Sequence, residues 1–429
     1  MNLREDWQFR GLVHQTTDDS VLDRLGAGGV TAYIGFDPTG SSLHLGSLMQ
    51  ICLLRRLQLA GNRPIALAGG GTGLVGDPSF KDAERPLLTL EQLHANVDAI
   101  RVQLSRFLDF SPEAGATQAL LLNNDAWLTT VPLTDFLRDV GKHFTVNQMI
   151  AKEAVRSRLE RDDVGLSFTE FSYMLLQAYD FLRLHLDYGC EVQLGGSDQW
   201  GNITAGAELV RKVTGHAVHA VTSPLLVRPD GRKFGKSESG NERVWLDASL
   251  TSPFVLYQFL LNTDDAMVPA MLRFYTFLDH DEIRRLDETL RVAPQDRLAQ
   301  RTLADAVVTF VHGTEAARAA QRAGEALFNE NISELDEATL LDAMSDAPSS
   351  TWSRDELSRG VDVSELLVRC GLAKSKGEAR RFVEQGGVYV NNRRVEGDDD
   401  ATINLSRALH DRYLVVRRGR RELHLVVAA

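Results

Sequence analysis

The chain has 429 residues and a net charge of −12, with 43% hydrophobic and 25% charged residues. This length allows two or three domains of ordinary globular composition. The three cysteines form no CxxC pair, which argues against a disulfide framework and a zinc site. We find no signal peptide and no membrane-spanning run, so we expect a cytoplasmic protein with no membrane contact. In so acidic a chain, any RNA contact must come from a local basic patch.

The first informative element is a β-branched and aromatic run at residues 31–36, which predicts a buried strand. Turn-forming residues follow, and Ser42 is placed to cap a helix that reaches Ala60. A strand that enters a helix through a tight loop suits a phosphate, because backbone N–H groups and the positive end of the helix dipole meet there. His44 could donate a hydrogen bond to that phosphate, and Gly46 leaves room for a base or a ribose. An ordinary βα unit with a surface histidine would show the same pattern.

Strands and helices continue to alternate up to about residue 226. Residues 64–68 and 191–194 are strand candidates, and helical patterns lie at 90–107 and 133–150. The alternation predicts a parallel α/β sheet, whose ligands bind outside the carboxyl ends of the strands. Residues 71–76 match GxGxxG, but two prolines and a polar run follow where a dinucleotide site requires a helix. A nicotinamide-dependent oxidoreductase is therefore the less favoured alternative.

Three segments carry polar residues suited to a site. Tyr173, Gln177 and Asp180 are spaced to share one face of a helix predicted at 167–182, although such a stripe is normally the solvent side. A glycine-rich loop occupies 195–202, where glycines allow close backbone approach. A turn and a basic, glycine-containing loop occupy 229–237.

The last part of the chain has a different character. Residues 249–330 are helical in pattern, 331–359 are polar and read as a linker, and 360–429 predict short helices at 363–370 and 376–384 with a turn and strand at 386–394. Residues 371–395 contain two acidic and six basic side chains, the latter being Lys374, Lys376, Arg380, Arg381, Arg393 and Arg394. Charge runs are usually solvated faces, but this excess in a small module favours an RNA-backbone footprint.

Two short motifs resemble a known family. FDPT at 36–39 with HLGS at 44–47 resembles the nucleotide-binding signature of class I aminoacyl-tRNA synthetases, and KFGKS at 233–237 resembles their second signature. The chain is most similar to the bacterial tyrosyl-tRNA synthetases, and the resemblance covers residues 9 to 426. Ser47 departs from it, since the family usually has a second histidine there. The two motifs in this order and at this separation are more specific than either alone.

The resemblance implies an architecture and an activity. It implies a Rossmann-like parallel-sheet catalytic domain at 1–226, the second signature loop at 227–248, an all-helical domain at 249–330, a linker at 331–359 and a small α+β RNA-binding domain at 360–429. It implies a homodimer with its interface near 131–168. The implied enzyme is a tyrosine–tRNA ligase that forms tyrosyl-AMP from L-tyrosine and ATP and then charges tRNA(Tyr). ATP with Mg²⁺ would be a substrate, with no tightly bound cofactor. A non-catalytic RNA-binding protein with a synthetase-like fold stays open as an alternative.

The resemblance also implies site residues. Those expected to act in catalysis are Thr39, His44, Lys233, Lys236 and Ser237. Those expected to bind tyrosine are Tyr33, Asp77, Tyr173, Gln177, Asp180 and Gln199, with Gln193 nearby. Those expected to bind ATP are Asp37, His44, Gly46, Ser47, Asp198 and Lys236. The six basic residues of 371–395 are expected to bind tRNA. Lys81 and Arg85 match a basic pair thought to act on tRNA or pyrophosphate, and a solvated charged loop explains them equally well. No metal-ligating residues are expected.

Overall fold

The structure, a computed structural model, describes residues 2–77, 88–152, 155–156, 159, 166–227, 243–326, 330–345, 347–396, 402–419 and 422–429. The chain divides into two compact units. The first comprises Met1–Thr251 with Thr263–Val307, and the second comprises Ser252–Asn262 with Val308–Ala429. This division passes through the helical domain predicted at 249–330, and the predicted domain boundaries remain predictions.

A six-stranded sheet with the order β1-β6-β5-β2-β3-β4 lies in the first unit. Its strands are β1 (Gln15–Thr16), β2 (Thr31–Phe36), β3 (Arg63–Ala68), β4 (Leu120–Asn123), β5 (Cys190–Gly196) and β6 (His219–Ser223). Strands β2 to β6 pair in parallel, while β1 is antiparallel to β6. The predicted parallel α/β sheet is confirmed. Because β3 and β5 flank β2 on opposite sides, the strand order reverses at β2, and such a point favours a ligand crevice.

The helices of the first unit connect and cover these strands. They are Leu3–Arg10, Ser20–Ala27, Leu45–Leu59, Leu90–Leu104, Asp125–Leu128, Leu133–Asp139, Val146–Ile150, Phe168–Tyr188, Trp200–Thr214, Val268–Tyr275 and His280–Val292. Phe168–Tyr188 is well specified by its sequence: Ser167 and Glu170 form a capping box at its start, and Gly189 ends it at φ 64°. Gly206 lets the next helix pack closely, since a Cβ there would lie 3.2 Å from the Phe181 ring.

Two helix predictions in this unit differ from the structure. The pattern at 133–150 is two helices separated by a 3₁₀ turn at Gly141–His143, and Thr145 caps the second one. The helix predicted to begin after Ser42 begins at Leu45 with His44 at the N-cap position. Ser42 is only 4% exposed, and its hydroxyl bonds to neighbouring buried groups instead of capping a helix. The local sequence favours Ser42 as a helix cap, but its side chain forms hydrogen bonds with residues distant in the sequence instead.

The second unit combines helices with a small sheet. Its helices are Pro253–Leu261, Thr314–Ala326, Glu337–Ala343, Arg354–Arg359, Val363–Arg369 and Lys376–Glu384, while Leu298–His312 contains residues of both units. A five-stranded sheet has the order β10-β9-β12-β13-β7, and β11 pairs with β8. These strands are β7 (Ser349–Trp352), β8 (Val361–Asp362), β9 (Val388–Val390), β10 (Arg393–Arg394), β11 (Thr402–Ile403), β12 (Tyr413–Arg418) and β13 (Glu422–Ala428).

The polar stretch 331–359 differs from its prediction as a linker. It contains the helix Glu337–Ala343, the strand β7 and the helix Arg354–Arg359. Its few apolar residues account for this, because Leu340, Trp352 and Leu357 are at most 3% exposed. Trp352 and Leu357 belong to a hydrophobic core formed by residues between 352 and 428, which we call the C-terminal module. Among the described helices, none combines the length and apolar character of a membrane span.

Candidate active site

A cavity of about 270 Å³ opens at the carboxyl ends of β2, β3 and β5. Ten residues that the sequence assigned to tyrosine or ATP line it: Tyr33, Asp37, Gly46, Ser47, Asp77, Tyr173, Gln177, Asp180, Asp198 and Gln199. Gln193 lines it as well, beside Gln50, Thr72 and Asn124. The polar stripe of the helix Phe168–Tyr188 therefore faces this cavity rather than solvent.

Asp180 is the most buried carboxylate of the cavity wall, at 3% exposure. Asn124 Nδ2 donates to one carboxylate oxygen over 2.8 Å, and Trp127 Nε1 donates to the other over 2.7 Å. Burial raises the pKa of Asp180 to about 7, and the nearby Asp37 adds to this effect while the two hydrogen bonds oppose it. Each oxygen of a carboxylate can accept a second hydrogen bond, so Asp180 can still receive a donor from a ligand.

Several buried polar atoms around the cavity lack a hydrogen-bond partner among the described residues. They are the Tyr33 hydroxyl and the amide oxygens of Gln50, Gln177 and Gln193. Burial and the charge of Asp180 raise the pKa of Tyr33 well above its usual value, so its hydroxyl is neutral. An unpaired buried polar group costs about 1–3 kcal/mol, which a polar ligand with matching donors would recover. These atoms make the cavity the candidate binding site.

A second polar cluster lies where the loop after β3 meets the loop after β5. Gln199 Nε2 donates to Asp77 over 2.8 Å, and the Tyr173 hydroxyl donates to Asp37 over 3.3 Å. Thr72 Oγ1 also donates to Asp37, over 3.4 Å. Asp37 and Asp77 together form a negative region that suits a cationic group of a ligand. In the described part of the chain, no cluster of three or more His, Cys, Asp and Glu side chains is arranged to hold a metal.

The first turn of the helix Leu45–Leu59 differs from the predicted phosphate cradle. The Leu45 N–H donates to the Val244 carbonyl over 2.8 Å, and the Ser47 N–H donates to the His44 carbonyl over 2.7 Å. These bonds occupy two of the backbone donors expected to face a phosphate. The side chains of His44 and Ser47 are therefore the stronger candidates as phosphate donors. Thr39 and His44 lie in the turn that precedes this helix, next to the cavity-lining Gly46 and Ser47.

The GxGxxG match at 71–76 leads into a 3₁₀ turn, Thr72–Leu74. The glycines next to it serve close packing. A Cβ on Gly70 would lie 2.3 Å from Asn123 Oδ1, and one on Gly71 would lie 2.8 Å from Leu128. Lys81 and Arg85, and likewise Lys233, Lys236 and Ser237 of the second signature, lie outside the described residues.

Sequence reasoning missed the two donors that hold Asp180. Asn124 and Trp127 follow β4, a strand that the sequence analysis did not predict. The signal was available, because the apolar run at 119–122 ends in two asparagines at the carboxyl edge where the other site residues were sought. Gln50 was also missed, since it lies on the second turn of the helix Leu45–Leu59, whose first turn drew attention.

The six basic residues of 371–395 are all exposed on the C-terminal module. Lys376 forms an ion pair with Glu365 at 3.0 Å. The sequence contains another basic run, Arg-Arg-Gly-Arg-Arg at 417–421, whose described part differs from these exposed residues. Arg417 is only 8% exposed, lies 3.9 Å over the Tyr389 ring and donates to Asn392, which gives it a structural role. Arg420 and Arg421 lie outside the described residues.

Because the pKa of Asp180 is raised in the folded chain, the free energy of unfolding should depend on pH. Between pH 4 and pH 7 the folded chain keeps a proton that the unfolded chain has lost, so the unfolding free energy falls as pH rises. With an ordinary value of 3.8 and a folded value of about 7, the cost is at most about 4 kcal/mol. Denaturant titrations should show Asp180→Asn gaining stability relative to the parent chain over this range, with no further gain above it.

The matched control is Asp281→Asn, which removes a carboxylate that is 94% exposed. Its stability difference from the parent should not change between pH 4 and pH 7. A constant difference for Asp180→Asn as well would show that Asp180 is ionised throughout this range.

Comparison with known proteins agrees with this geometry. Residues 27–329 match the family model for class I tRNA synthetases (W and Y), and residues 340–426 match the model for the SYY-like C-terminal domain of tyrosine–tRNA ligase. The tyrosine–tRNA ligase of Roseiflexus castenholzii is 49% identical over 98% of both chains. That of Geobacillus stearothermophilus is 49% identical over 99% of both chains.

A solved structure shows the same relationship in three dimensions. The C-terminally truncated mitochondrial tyrosyl-tRNA synthetase of Aspergillus nidulans superimposes with a TM-score of 0.67 at 32% identity, covering 76% of this chain and 94% of that one. These matches exclude the oxidoreductase alternative. The two family models together span most of the chain, and the two relatives are 49% identical to it over nearly their whole length. The chain belongs to the tyrosine–tRNA ligase family of the class I aminoacyl-tRNA synthetases.

Proposed function

We propose that the cavity binds L-tyrosine and activates it with ATP, and that the chain then transfers tyrosine to the 3′ end of tRNA(Tyr). The observation that carries this proposal is that the buried Asp180 carboxylate and the Tyr33 hydroxyl, which has no hydrogen-bond partner among the described residues, line the same cavity. A phenol hydroxyl can donate to Asp180 and accept from Tyr33, which satisfies both groups. The side chains of phenylalanine and tryptophan offer no such hydroxyl.

The opposite end of tyrosine is a zwitterion, and the cavity has groups for it. The unpartnered Gln177 amide oxygen and the carboxylate of Asp77 are acceptors suited to the ammonium group, and Tyr173 stands beside them. Gln199 Nε2, which donates to Asp77 over 2.8 Å, is placed to orient the tyrosine carboxylate as well. Asp198 lines the same cavity and is assigned to the ribose hydroxyls of ATP.

The first step is an in-line attack of the tyrosine carboxylate on the α-phosphorus of ATP, which releases pyrophosphate and forms tyrosyl-AMP. No side chain becomes covalently attached. Catalysis then rests on positioning and on stabilising the negative charge that grows on the phosphates. We assign this role to Thr39 and His44 of the first signature and to Lys233, Lys236 and Ser237 of the second, with Mg²⁺ brought by ATP. The second step passes tyrosine to the terminal ribose of the tRNA.

Substitution of Tyr33 tests the phenol end of the cavity. Tyr33→Phe should lower the preference for tyrosine over phenylalanine by roughly two- to tenfold, because one uncharged hydrogen bond contributes about 0.5–1.5 kcal/mol. The measurement is kcat/KM for both amino acids in amino-acid-dependent exchange of pyrophosphate into ATP. Tyr275→Phe is the matched control, since Tyr275 is also buried but does not line the cavity.

Equal preference in the Tyr33→Phe variant and the parent would show that the phenol end lies elsewhere. Absence of tyrosine-dependent exchange in the parent chain would contradict the proposed activity itself and would favour a non-catalytic RNA-binding protein.

The C-terminal module is proposed to bind tRNA through its exposed basic residues. Arg380 and Arg381 lie on the helix Lys376–Glu384, and Arg393 and Arg394 form the edge strand β10. Their side chains are exposed and can reach a phosphate backbone. Each phosphate that they neutralise releases a counterion, so affinity should depend strongly on salt.

Charge reversal tests this assignment. A variant with Arg380→Glu, Arg381→Glu and Arg393→Glu should make tyrosyl-AMP at the parent rate but charge tRNA poorly at physiological salt. Its tRNA affinity should also depend less steeply on salt, by about one unit of slope for each lost contact. The control reverses Arg284, Arg285 and Arg291, which are equally exposed on the helix His280–Val292. Parent-like charging by the first variant would show that the module does not bind tRNA through this face.

We further propose that the chain forms a homodimer through the region near 131–168. Large apolar side chains are exposed there, with Leu133 at 72%, Val146 at 59% and Phe168 at 79%. Leu137 and Ile150 add to them at 52% and 41%. Such a concentration of exposed apolar residues is typical of a protein interface, and a second copy of the chain fits the implied dimer.

Introducing charge into this region should separate the subunits. A Leu133→Asp and Phe168→Asp double variant should sediment as a monomer at micromolar concentration where the parent is a dimer, because two carboxylates would be buried without partners. The control is Leu59→Asp, a change at a residue that is 63% exposed on another helix. A parent chain that is monomeric, or a double variant that stays dimeric, would contradict the proposed interface.

A further inference from the structure

A buried polar network lies beneath the first signature and outside the substrate cavity. Its centre is Gln103, on the helix Leu90–Leu104, which is 3% exposed. Gln103 Oε1 accepts from the Leu43 N–H over 2.8 Å, and Gln103 Nε2 donates to Ser42 Oγ over 2.9 Å and to Asp247 Oδ2 over 3.3 Å. The Asp247 N–H donates to Ser42 Oγ over 3.2 Å. We name these three residues, Ser42, Gln103 and Asp247, the Gln103 network.

Next to the network, the backbone of residues 43–45 is hydrogen-bonded to the segment 244–246, with one bond before His44 and one after it. The Leu246 N–H donates to the Leu43 carbonyl, and the Leu45 N–H donates to the Val244 carbonyl, both over 2.8 Å. His44 pairs with Trp245 between these two bonds. The Trp245 ring also packs against the turn of the signature, since a Cβ on Gly40 would lie 3.2 Å from it. The backbone at His44 is therefore fixed by residues 244–247 and by Gln103.

The phenol end of the cavity is held by different groups. Asp180 is held by hydrogen bonds from Asn124 and Trp127, and among the described residues neither donor is hydrogen-bonded to the Gln103 network. A disturbance of Gln103 should therefore move the phosphate side of the site and leave the tyrosine side in place. A displacement of about 1 Å can cost a reaction on the order of 10²-fold in rate, so such a disturbance should be measurable.

We infer that Gln103, together with Ser42 and Asp247, positions the first signature for the phosphate-transfer step and has little part in binding the amino acid. Gln103 is a positioning residue, because it acts through the backbone of residues 43–45 and touches neither substrate. This inference rests on the proposed function of the cavity.

The test exchanges the donor and the acceptor of the hydrogen bond between Gln103 Nε2 and Asp247 Oδ2. Gln103→Glu keeps an acceptor for the Leu43 N–H but sets two carboxylates against each other. Asp247→Asn in the same chain restores a donor to that pair, while Asn Oδ1 can still accept from the Ser249 N–H and hydroxyl as Asp247 Oδ1 does. In the single variant Gln103→Glu, the rate of tyrosyl-AMP formation per titrated active site should fall by at least about tenfold. The KM for tyrosine should stay within about twofold of the parent value. The double variant should recover most of the rate.

Gln58→Glu is the matched control. Gln58 is another buried amide that bonds to backbone groups, at the other end of the helix Leu45–Leu59 and away from the signature. It should lower the stability of the chain without changing the rate per active site. The same behaviour in Gln103→Glu, or a failure of the double variant to recover, would overturn the inference by showing a purely structural role.

A rise in tyrosine KM that matches the fall in rate would also overturn it, because the network would then support the whole cavity. The parent chain separates these results from the proposed function. If the parent lacks tyrosine-dependent pyrophosphate exchange, the function itself is wrong. If the parent is active and the variants match it, only the role of Gln103 is wrong.

Discussion

The burial of Asp180 is the constraint on which the rest of the site depends. A carboxylate that is 3% exposed is costly, and Asn124 and Trp127 offset only part of this cost, since the pKa is still raised to about 7. In the proposed function, the phenol of a bound tyrosine would complete the hydrogen bonds of this group. The same logic applies to Tyr33, Gln177 and Gln193, whose buried polar atoms lack partners within the described chain. These buried groups lower the stability of the free chain, and binding of tyrosine as proposed would recover part of that loss.

The topology explains why these groups meet. Strands β3 and β5 lie on opposite sides of β2, so the loops that follow the three strands converge over one crevice. Strand β4 extends the same edge and supplies Asn124 and Trp127. The long helix Phe168–Tyr188 then brings three polar side chains across this crevice at a spacing of one helical face. Residues that are far apart in the chain become one site because parallel strands share a carboxyl edge.

The sequence predicted elements best where local signals and tertiary packing agree. The strand Thr31–Phe36 and the helix Lys376–Glu384 have the predicted bounds, since their composition and their ends are locally specified. Ser42 looked like a helix cap, but a partner 61 residues away decided its role, and no local pattern reveals Gln103. The residues 331–359 looked like a linker because a few buried apolar side chains are diluted among polar ones. Most residues that the family resemblance predicts for tyrosine and ATP line the cavity, whereas Asn124 and Trp127 became evident only with the sheet.

The negative charge of the cavity bears on where the two proposed substrates, tyrosine and ATP, would lie. Asp37, Asp77, Asp180 and Asp198 all line one small cavity, which attracts an ammonium group but repels a triphosphate. Under the proposed function, the phosphates of ATP would lie toward the start of the helix Leu45–Leu59, where the side chains of His44 and Ser47 can donate hydrogen bonds. In the proposed complex, the ammonium group of tyrosine would compensate part of this negative charge, while its carboxylate would face the α-phosphorus of ATP. In the proposed reaction, the hydrogen bonds that fix the backbone around His44 would hold its side chain as a donor that need not reorganise while the phosphate charge grows.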